Sequence, residues 1–164
     1  MRNDIDVHAY IGLGANLGDT RAGLQAALSA LAGLPQTRLL SCSSFYRSAP
    51  VDSGGPDYLN AVAHVSTRLA PHDLLEHLQA IELQHGRERP YRNAPRTLDL
   101  DLLLYGNEAL HTPTLTLPHP RLHERAFVLL PLAEIAPDVQ VPYRAGMTEL
   151  LQAVAGQRVE KLKS

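Results

Sequence analysis

Two aspartates, Asp99 and Asp101, interrupt a leucine-rich stretch with the sequence RTLDLDLLLYG (residues 96–106). In a β-strand, side chains point alternately to the two faces of the sheet. One face would then carry Leu98, Leu100, Leu102 and Leu104, and the other would carry Thr97, Asp99, Asp101, Leu103 and Tyr105. Carboxylates about 6.6 Å apart repel each other by about 2.5 kcal/mol when the effective dielectric constant is about 20. We therefore expect the two aspartates to face either a bound cation or open water.

Four arginines directly precede the aspartates: Arg87, Arg89, Arg92 and Arg96. Metal-assisted transfer of a phosphoryl group requires oxygen ligands for Mg²⁺ and positive charge around the phosphates. The aspartates could supply the ligands, and the planar guanidinium groups suit phosphate oxygens better than lysine does. The alternative is a solvated strand face beside an arginine loop that forms only surface ion pairs.

The composition is that of an ordinary globular chain. Its 164 residues, 45% hydrophobic and 20% charged, predict a single domain over 1–164. With Cys42 as the only cysteine, an intrachain disulfide and a cysteine-based zinc cluster are excluded. The sequence shows no membrane-length apolar run and no signal-peptide pattern, so we expect a cytoplasmic protein. The net charge of −2 argues against general nucleic-acid binding, and the lack of a heptad pattern favours a monomer.

The spacing of apolar residues predicts the elements that position these groups. Strands are predicted at 7–13, 37–50, 57–69 and 96–106, and helices at 19–34, 70–86, 124–137 and 147–156. Asp19 or Thr20 would cap the first helix, and Pro71 and Gly86 would begin and end the second. The order β-α-β-β-α-β predicts an α+β fold with a ferredoxin-like βαββαβ core, to which C-terminal helices and short strands are added.

Three other patterns suggest functions that the residues support less well. GLGANLG (residues 12–18) follows a strand, but its glycine spacing is one residue too long for a dinucleotide fingerprint, which favours a tight turn. His119 and His123 have a spacing that could bind zinc on a helix, but Pro120 disfavours a helix there. RERPYRNAPR (residues 87–96) could contact single-stranded nucleic acid, but only Tyr91 is available to stack on a base.

Six motifs spread along nearly the whole chain indicate a family resemblance. They are YIGLGANLGD, SSFYRSAP, PDYLNAV, IELQHGR, PRTLDLDLLLYG and PHPRLHERAFVLLPLAEIAPD. In these motifs the chain resembles the bacterial 6-hydroxymethyl-7,8-dihydropterin pyrophosphokinases of folate biosynthesis. The resemblance implies a ferredoxin-like fold and the transfer of pyrophosphate from ATP to the hydroxymethyl group of the pterin, with release of AMP.

The resemblance also implies roles for individual residues. Asp99 and Asp101 would hold two Mg²⁺ ions between ATP and the pterin hydroxyl, and Arg87 and Arg96 would complete the catalytic set. The residues expected around ATP are Leu75, Gln79, Glu82, Arg89, Arg92, Leu102, Thr116, His119 and Arg125. Those expected around the pterin are Ser48, Ala49, Val51, Tyr58, Asn60 and Phe127. Two flexible loops, 50–56 and 87–95, are expected to order over both substrates and exclude water.

Three positions depart from the best-known member of that family. Asn93 stands where that protein has a tryptophan, Thr114 where it has an arginine and Pro120 where it has a tyrosine. A function of another class is a ferredoxin-like binding module that holds a phosphate-bearing ligand or RNA without chemistry. Such a module would bind polyanions without turning over ATP.

Overall fold

The computed structural model describes residues 2–16, 18–49, 56–85 and 98–163. The strands are β1 (Arg2–Ala15), β2 (Thr37–Cys42), β3 (Tyr46–Ser48), β4 (Tyr58–Leu69), β5 (Asp99–Tyr105), β6 (Leu110–His111), β7 (Thr116–Leu117) and β8 (Val159–Lys161). The helices are α1 (Thr20–Ala32), α2 (Pro71–Gln84), α3 (Ala126–Ile135) and α4 (Met147–Ala153), and a 3₁₀ helix spans Leu122–Glu124. Within the described ranges, no helix is long and apolar enough to cross a membrane.

The main sheet is antiparallel and has the strand order β5-β1-β4-β3-β8, and β2 also pairs with β4. This order, with β1 and β4 in the centre, confirms the predicted ferredoxin-like core. The predicted strand 37–50 is interrupted after Cys42, so that β2 and β3 are separate strands. Ser43, the first residue of the interruption, still forms hydrogen bonds to β4. Its N–H donates to Val62 O, and its Oγ accepts from Val62 N, both at 2.9 Å.

The two faces of the sheet are covered by different helices. On one face, Ile11 and Leu102 of the sheet are buried in a cluster with Leu24 of α1 and Leu78 of α2. On the other face, α3 and α4 cover a second cluster that includes Val62, Leu103, Leu129 and Leu150. Because side chains alternate along a strand, β1, β4 and β5 each contribute to both clusters.

The alternation in β5 is broken by a β-bulge at Leu103. Tyr10 pairs with Leu104, but the next residue, Ile11, pairs with Leu102. Leu103 and Leu104 therefore both join the α3 cluster, whereas Tyr105 returns to the α1–α2 side. Tyr105 is buried there, and its hydroxyl donates to Leu69 O at 2.6 Å. The predictions that Leu104 shares a face with Leu102, and that Tyr105 shares one with the aspartates, are wrong.

The ends of the elements agree with the local sequence, with one exception. Asp19 caps α1 by accepting a hydrogen bond from Ala22 N at 3.0 Å, and Pro71 lies in the first turn of α2. The predicted end of α2 at Gly86 lies outside the described residues. Pro131 lies inside α3, as predicted. The exception is the C-terminal segment: no element is predicted after residue 156, but Val159–Lys161 forms β8 and pairs with β3.

Candidate active site

A cavity of about 330 Å³ lies on the α3 side of the sheet. Asp99 and Asp101 of β5 line it, and so does Arg125, which directly precedes α3. The guanidinium carbon of Arg125 lies 5.6 Å from the centre of the Phe127 ring. Ser48, Ala49, Tyr58, Asn60 and Phe127, predicted around the pterin, line the same cavity. The structure therefore brings the aspartates together with every described residue of the predicted pterin group.

Gly12 and Gly14 of β1 form the floor of this cavity. Gly14 pairs with Asp99 on one side and Asn60 on the other, and Gly12 pairs with Asp101 and Val62. Neither glycine has a φ in the left-handed region, so the backbone does not require glycine here. A Cβ on Gly14 would lie 3.5 Å from Asn60 Oδ1 and 3.9 Å from Tyr58 Cδ1, inside the space that the cavity occupies. The sequence-based interpretation of these glycines as a tight turn is wrong; Gly18, with φ +68°, lies in the turn.

Asn60 presents a fixed hydrogen-bond acceptor to the cavity. Its side chain is buried, and Nδ2 donates to Ser48 Oγ at 2.8 Å and to Tyr46 O at 3.4 Å. Because a carbonyl oxygen can only accept, the bond to Tyr46 O identifies Nδ2 and leaves Oδ1 on the Gly14 side. The amide is therefore oriented to accept a hydrogen bond from a ligand N–H group.

Glu134 of α3 holds the strand that carries Ser48. Its carboxylate accepts from Tyr46 Oη at 2.6 Å and from Ser44 N at 2.9 Å. Although burial favours the neutral acid, these hydrogen bonds hold the pKa of Glu134 below its ordinary value. Burial and the bond to Glu134 raise the pKa of Tyr46. The wall of the cavity at β3 is thus tied to α3 by charge-assisted hydrogen bonds.

A second cavity of about 270 Å³ lies beside Asp101. Leu75, Leu102, Thr116 and His119, all predicted around ATP, line it, together with Thr114 and Pro120. Asp101 lines both cavities. One carboxylate of the aspartate pair therefore lies where the two predicted substrate sites meet.

The surroundings of His119 lower its pKa and define the tautomer of its neutral ring. Arg121 N donates to His119 Nδ1 at 3.2 Å, so Nε2 carries the proton of the neutral ring. Burial lowers the pKa of His119 most, the charges of Arg125 and Arg121 lower it further, and Asp101 opposes them. Among the described residues, His119 and His123 included, no group of three or more His, Cys, Asp or Glu side chains is placed to hold a metal ion.

Glu82 of α2, predicted around ATP, is buried against β5. The residue is 5% exposed, and its Oε2 accepts from Leu100 N at 2.8 Å. Glu82 and Gln79 are both absent from the described lining of the two cavities. The sequence does carry a signal for the burial of Glu82, because it follows Leu78 by four residues and so continues the apolar stripe of α2.

Several predicted site residues lie outside the described residues. These are Val51, Arg87, Arg89, Arg92 and Arg96, and also Asn93 and nearly all of the two predicted loops. Arg125 is the predicted phosphate-binding arginine that lies among the described residues, and it lines the first cavity.

Sequence reasoning missed a histidine pair on the α3 side of the sheet. His8 Nδ1 lies 2.7 Å from His64 Nε2, and the Tyr10 ring stacks on His64 with the ring centres 4.5 Å apart. The pairing of β1 with β4, in which Tyr10 opposes His64, brings these rings together. Burial, and then the charge of His8, lower the pKa of His64.

This pair predicts a loss of stability in acid. When folding lowers the pKa of a histidine, the folded state is disfavoured wherever that histidine must bind a proton. The free energy of unfolding is therefore highest above the ordinary histidine pKa of about 6.5 and decreases as the pH falls from there towards the lowered pKa. We expect His64→Phe to reduce the fall in unfolding free energy between pH 7.5 and 5.5, as measured by urea titration. His111→Gln, at an exposed position, is the control. An equal fall in His64→Phe and the parent chain would contradict the prediction.

Comparison with known proteins identifies the family. Residues 10–137 match the family model of 7,8-dihydro-6-hydroxymethylpterin-pyrophosphokinase (HPPK). The 2-amino-4-hydroxy-6-hydroxymethyldihydropteridine pyrophosphokinase of Pseudomonas aeruginosa is 48% identical over 154 residues, which cover 93% of this chain and 95% of that protein. The protein of the same name from Haemophilus influenzae is 47% identical over 157 residues, 95% of this chain and 98% of that one.

A solved structure shares the fold. The crystal structure of wild-type Plasmodium falciparum HPPK-DHPS with pteroate superposes with a TM-score of 0.74 and 13% identity, over 93% of this chain and 44% of that chain. This chain therefore spans less than half of that longer protein, and at such low identity the likeness concerns the fold alone. By the match over residues 10–137 and the identity to its bacterial relatives, the chain belongs to the 7,8-dihydro-6-hydroxymethylpterin-pyrophosphokinase family.

Proposed function

We propose that this enzyme carries out its reaction where the two cavities meet, at Asp101. As an HPPK-family member it transfers pyrophosphate from ATP to the hydroxymethyl group of 6-hydroxymethyl-7,8-dihydropterin and releases AMP, in folate biosynthesis. The observation that carries the proposal is that Asp101 lines both cavities, one with the residues predicted around the pterin and one with those predicted around ATP. An acceptor and a phosphate donor would thus meet beside the same carboxylate.

We propose that Asp99 and Asp101 hold two Mg²⁺ ions together with ATP. Both side chains line the first cavity, and the glycines opposite them in β1 leave space for a ligand. Protein sites for Mg²⁺ commonly use one or two carboxylates and take their remaining ligands from phosphates and water. The described residues bring no third acidic, histidine or cysteine ligand to the pair, which suits such a shared site. Bound Mg²⁺ would neutralise phosphate charge and lower the pKa of the attacking hydroxyl.

The first cavity has the chemistry to hold the pterin. Tyr58 and Phe127 offer aromatic surface to a flat ring, and Asn60 Oδ1 can accept from a ring N–H group. Ser48 and Ala49 lie at the wall formed by β3 and the residue after it. Val51, which lies outside the described residues, is proposed to extend this wall.

The second cavity has the chemistry to hold ATP. Leu75 and Leu102 offer an apolar surface for the base, and Thr116 offers a hydroxyl. His119, as an N–H donor at Nε2, and Arg125 would bind the phosphates between the two cavities. For Gln79 and Glu82, a role in binding the nucleotide is supported only by the family resemblance.

In the reaction, the pterin hydroxymethyl group gives up its proton to water, and its oxygen forms a bond to the β-phosphorus of ATP. The bond from that phosphorus to the oxygen bridging to the α-phosphorus breaks, and AMP leaves with this oxygen. His119 and Arg125 would stabilise negative charge on the phosphates. Arg87 and Arg96 are proposed to stabilise the same charge, and Arg89 and Arg92 are proposed to bind ATP. The loops 50–56 and 87–95 are proposed to close over the substrates and exclude water. A monomeric state, a cytoplasmic location and a single domain over 1–164 stay predictions of the sequence.

The test is to incubate the chain with ATP, Mg²⁺ and 6-hydroxymethyl-7,8-dihydropterin and to separate the adenine nucleotides by chromatography. We expect AMP in amounts equal to the pterin consumed, and none when the pterin is omitted. Formation of ADP would instead indicate transfer of a single phosphoryl group. Tight nucleotide binding without turnover would favour the binding module.

A further inference from the structure

We propose that Glu82 is a positioning residue that fixes the backbone between the two aspartates of β5. The inference rests on the proposed role of Asp99 and Asp101, and it assigns Glu82 to the strand instead of to the nucleotide. Its starting point is the hydrogen bond from Leu100 N to Glu82 Oε2, at 2.8 Å, from the one residue that separates the aspartates.

The burial of Glu82 requires an explanation. The residue lies in the last turn of α2, is 5% exposed and directly follows the buried Ile81. A buried carboxylate is costly unless it accepts hydrogen bonds, and a leucine would continue the apolar stripe at no such cost. The bond to β5 supplies a reason for a side-chain acceptor at this position.

The position of β5 in the sheet explains what the bond does. β5 is the end strand of the described sheet and pairs with β1, where Asp99 opposes Gly14 and Asp101 opposes Gly12. Leu100 N–H donates to Glu82 of α2, which packs on the face of the sheet opposite to α3. The segment that carries both aspartates is therefore held by the β1 pairing and by the side-chain acceptor of Glu82.

This restraint matters because of what the aspartates are proposed to do. Mg²⁺ tolerates little departure from octahedral geometry, so its ligands must be placed within a few tenths of an ångström. Glutamine at this position would keep one acceptor oxygen for Leu100 N–H, whereas alanine would leave that N–H without an acceptor from α2. The two variants therefore separate the hydrogen bond from the rest of the side chain.

The first test measures the bond itself in the chain without substrates. Amide hydrogen exchange by NMR should show Leu100 N–H exchanging at least 10-fold faster in Glu82→Ala than in the parent chain and within about 3-fold of the parent in Glu82→Gln. The matched control is Glu76→Ala, an exposed glutamate on the same helix. Equal Leu100 exchange in Glu82→Ala and the parent would overturn the proposal whether or not the proposed function holds.

The second test separates positioning from nucleotide binding. In Glu82→Ala we expect kcat to fall at least 10-fold and the half-saturating Mg²⁺ concentration to rise several-fold, with the KM for ATP at saturating Mg²⁺ within about 3-fold. Glu82→Gln should recover most of the kcat. A raised KM for ATP with unchanged kcat would overturn positioning in favour of a nucleotide contact. If Glu82→Ala does not fold, Glu82→Asp, whose carboxylate is withdrawn by one methylene, takes its place with the same expected losses.

Discussion

Asp99→Ala and Asp101→Ala are each expected to lower kcat by at least 10³-fold, equivalent to about 4 kcal/mol of transition-state stabilisation. The two carboxylates lie on one face of β5 and line the cavity that also contains Arg125. Removing either one would remove an oxygen ligand that we propose for Mg²⁺, and would leave the charge of the transferring phosphates without its neutralising ions. Steady-state formation of AMP at saturating ATP and pterin measures the effect.

Two controls make this result specific to the site. Asp138→Asn removes the charge of an exposed aspartate, and its kcat should stay within about 2-fold of the parent. Thermal unfolding of each variant shows whether the fold is retained. Near-normal turnover in Asp99→Ala or Asp101→Ala at saturating Mg²⁺ would show that the aspartates do not hold the catalytic ions.

Gly14→Val is expected to reduce kcat/KM for the pterin by at least 10²-fold while the Kd for ATP stays within about 2-fold. Gly14 lies between Asp99 and Asn60 in the sheet, and a Cβ there would lie 3.5 Å from Asn60 Oδ1. The branched side chain of valine would extend further into the space proposed for the pterin ring, whereas the ATP cavity is lined by other residues. Titration calorimetry with each ligand separates the two effects.

Two further glycine substitutions test whether volume is the cause. Gly14→Ala adds a single methyl group and should give a smaller loss than valine. Gly23→Ala, in α1, places its methyl group where no atom lies within 4 Å, and should leave both affinities unchanged. If Gly14→Val bound the pterin normally, the glycine floor would not be part of the acceptor site.

The parts of the fold that the sequence predicted depend on local rules. The alternation of β4, the cap at Asp19 and Pro71 at the start of α2 each follow from a few neighbouring residues. The β-bulge in β5 does not, because Leu103 and Leu104 are identical in type and only the pairing with β1 shows where a residue is inserted. Likewise, β8 is a short polar strand whose existence depends on its partner β3.

The same distinction holds for the site. Asp99 and Asp101 could be identified from the sequence because charged side chains inside an apolar strand require a reason. The role of Gly14 could not be identified from the sequence, because it depends on which residues of β4 and β5 pair with Gly14 in the sheet. The contact of His8 with His64, 56 residues apart, also follows only from the register.

The most direct test of the proposed site is a crystal structure of the chain with Mg²⁺, 6-hydroxymethyl-7,8-dihydropterin and an ATP analogue in which a methylene group replaces the oxygen between the α- and β-phosphates. Such an analogue cannot undergo the bond breakage that releases AMP. We predict metal density at both Asp99 and Asp101, with the pterin above Gly14 and its hydroxymethyl oxygen directed at the β-phosphorus. Ligands bound elsewhere, or metal ions that contact neither aspartate, would contradict the proposed site.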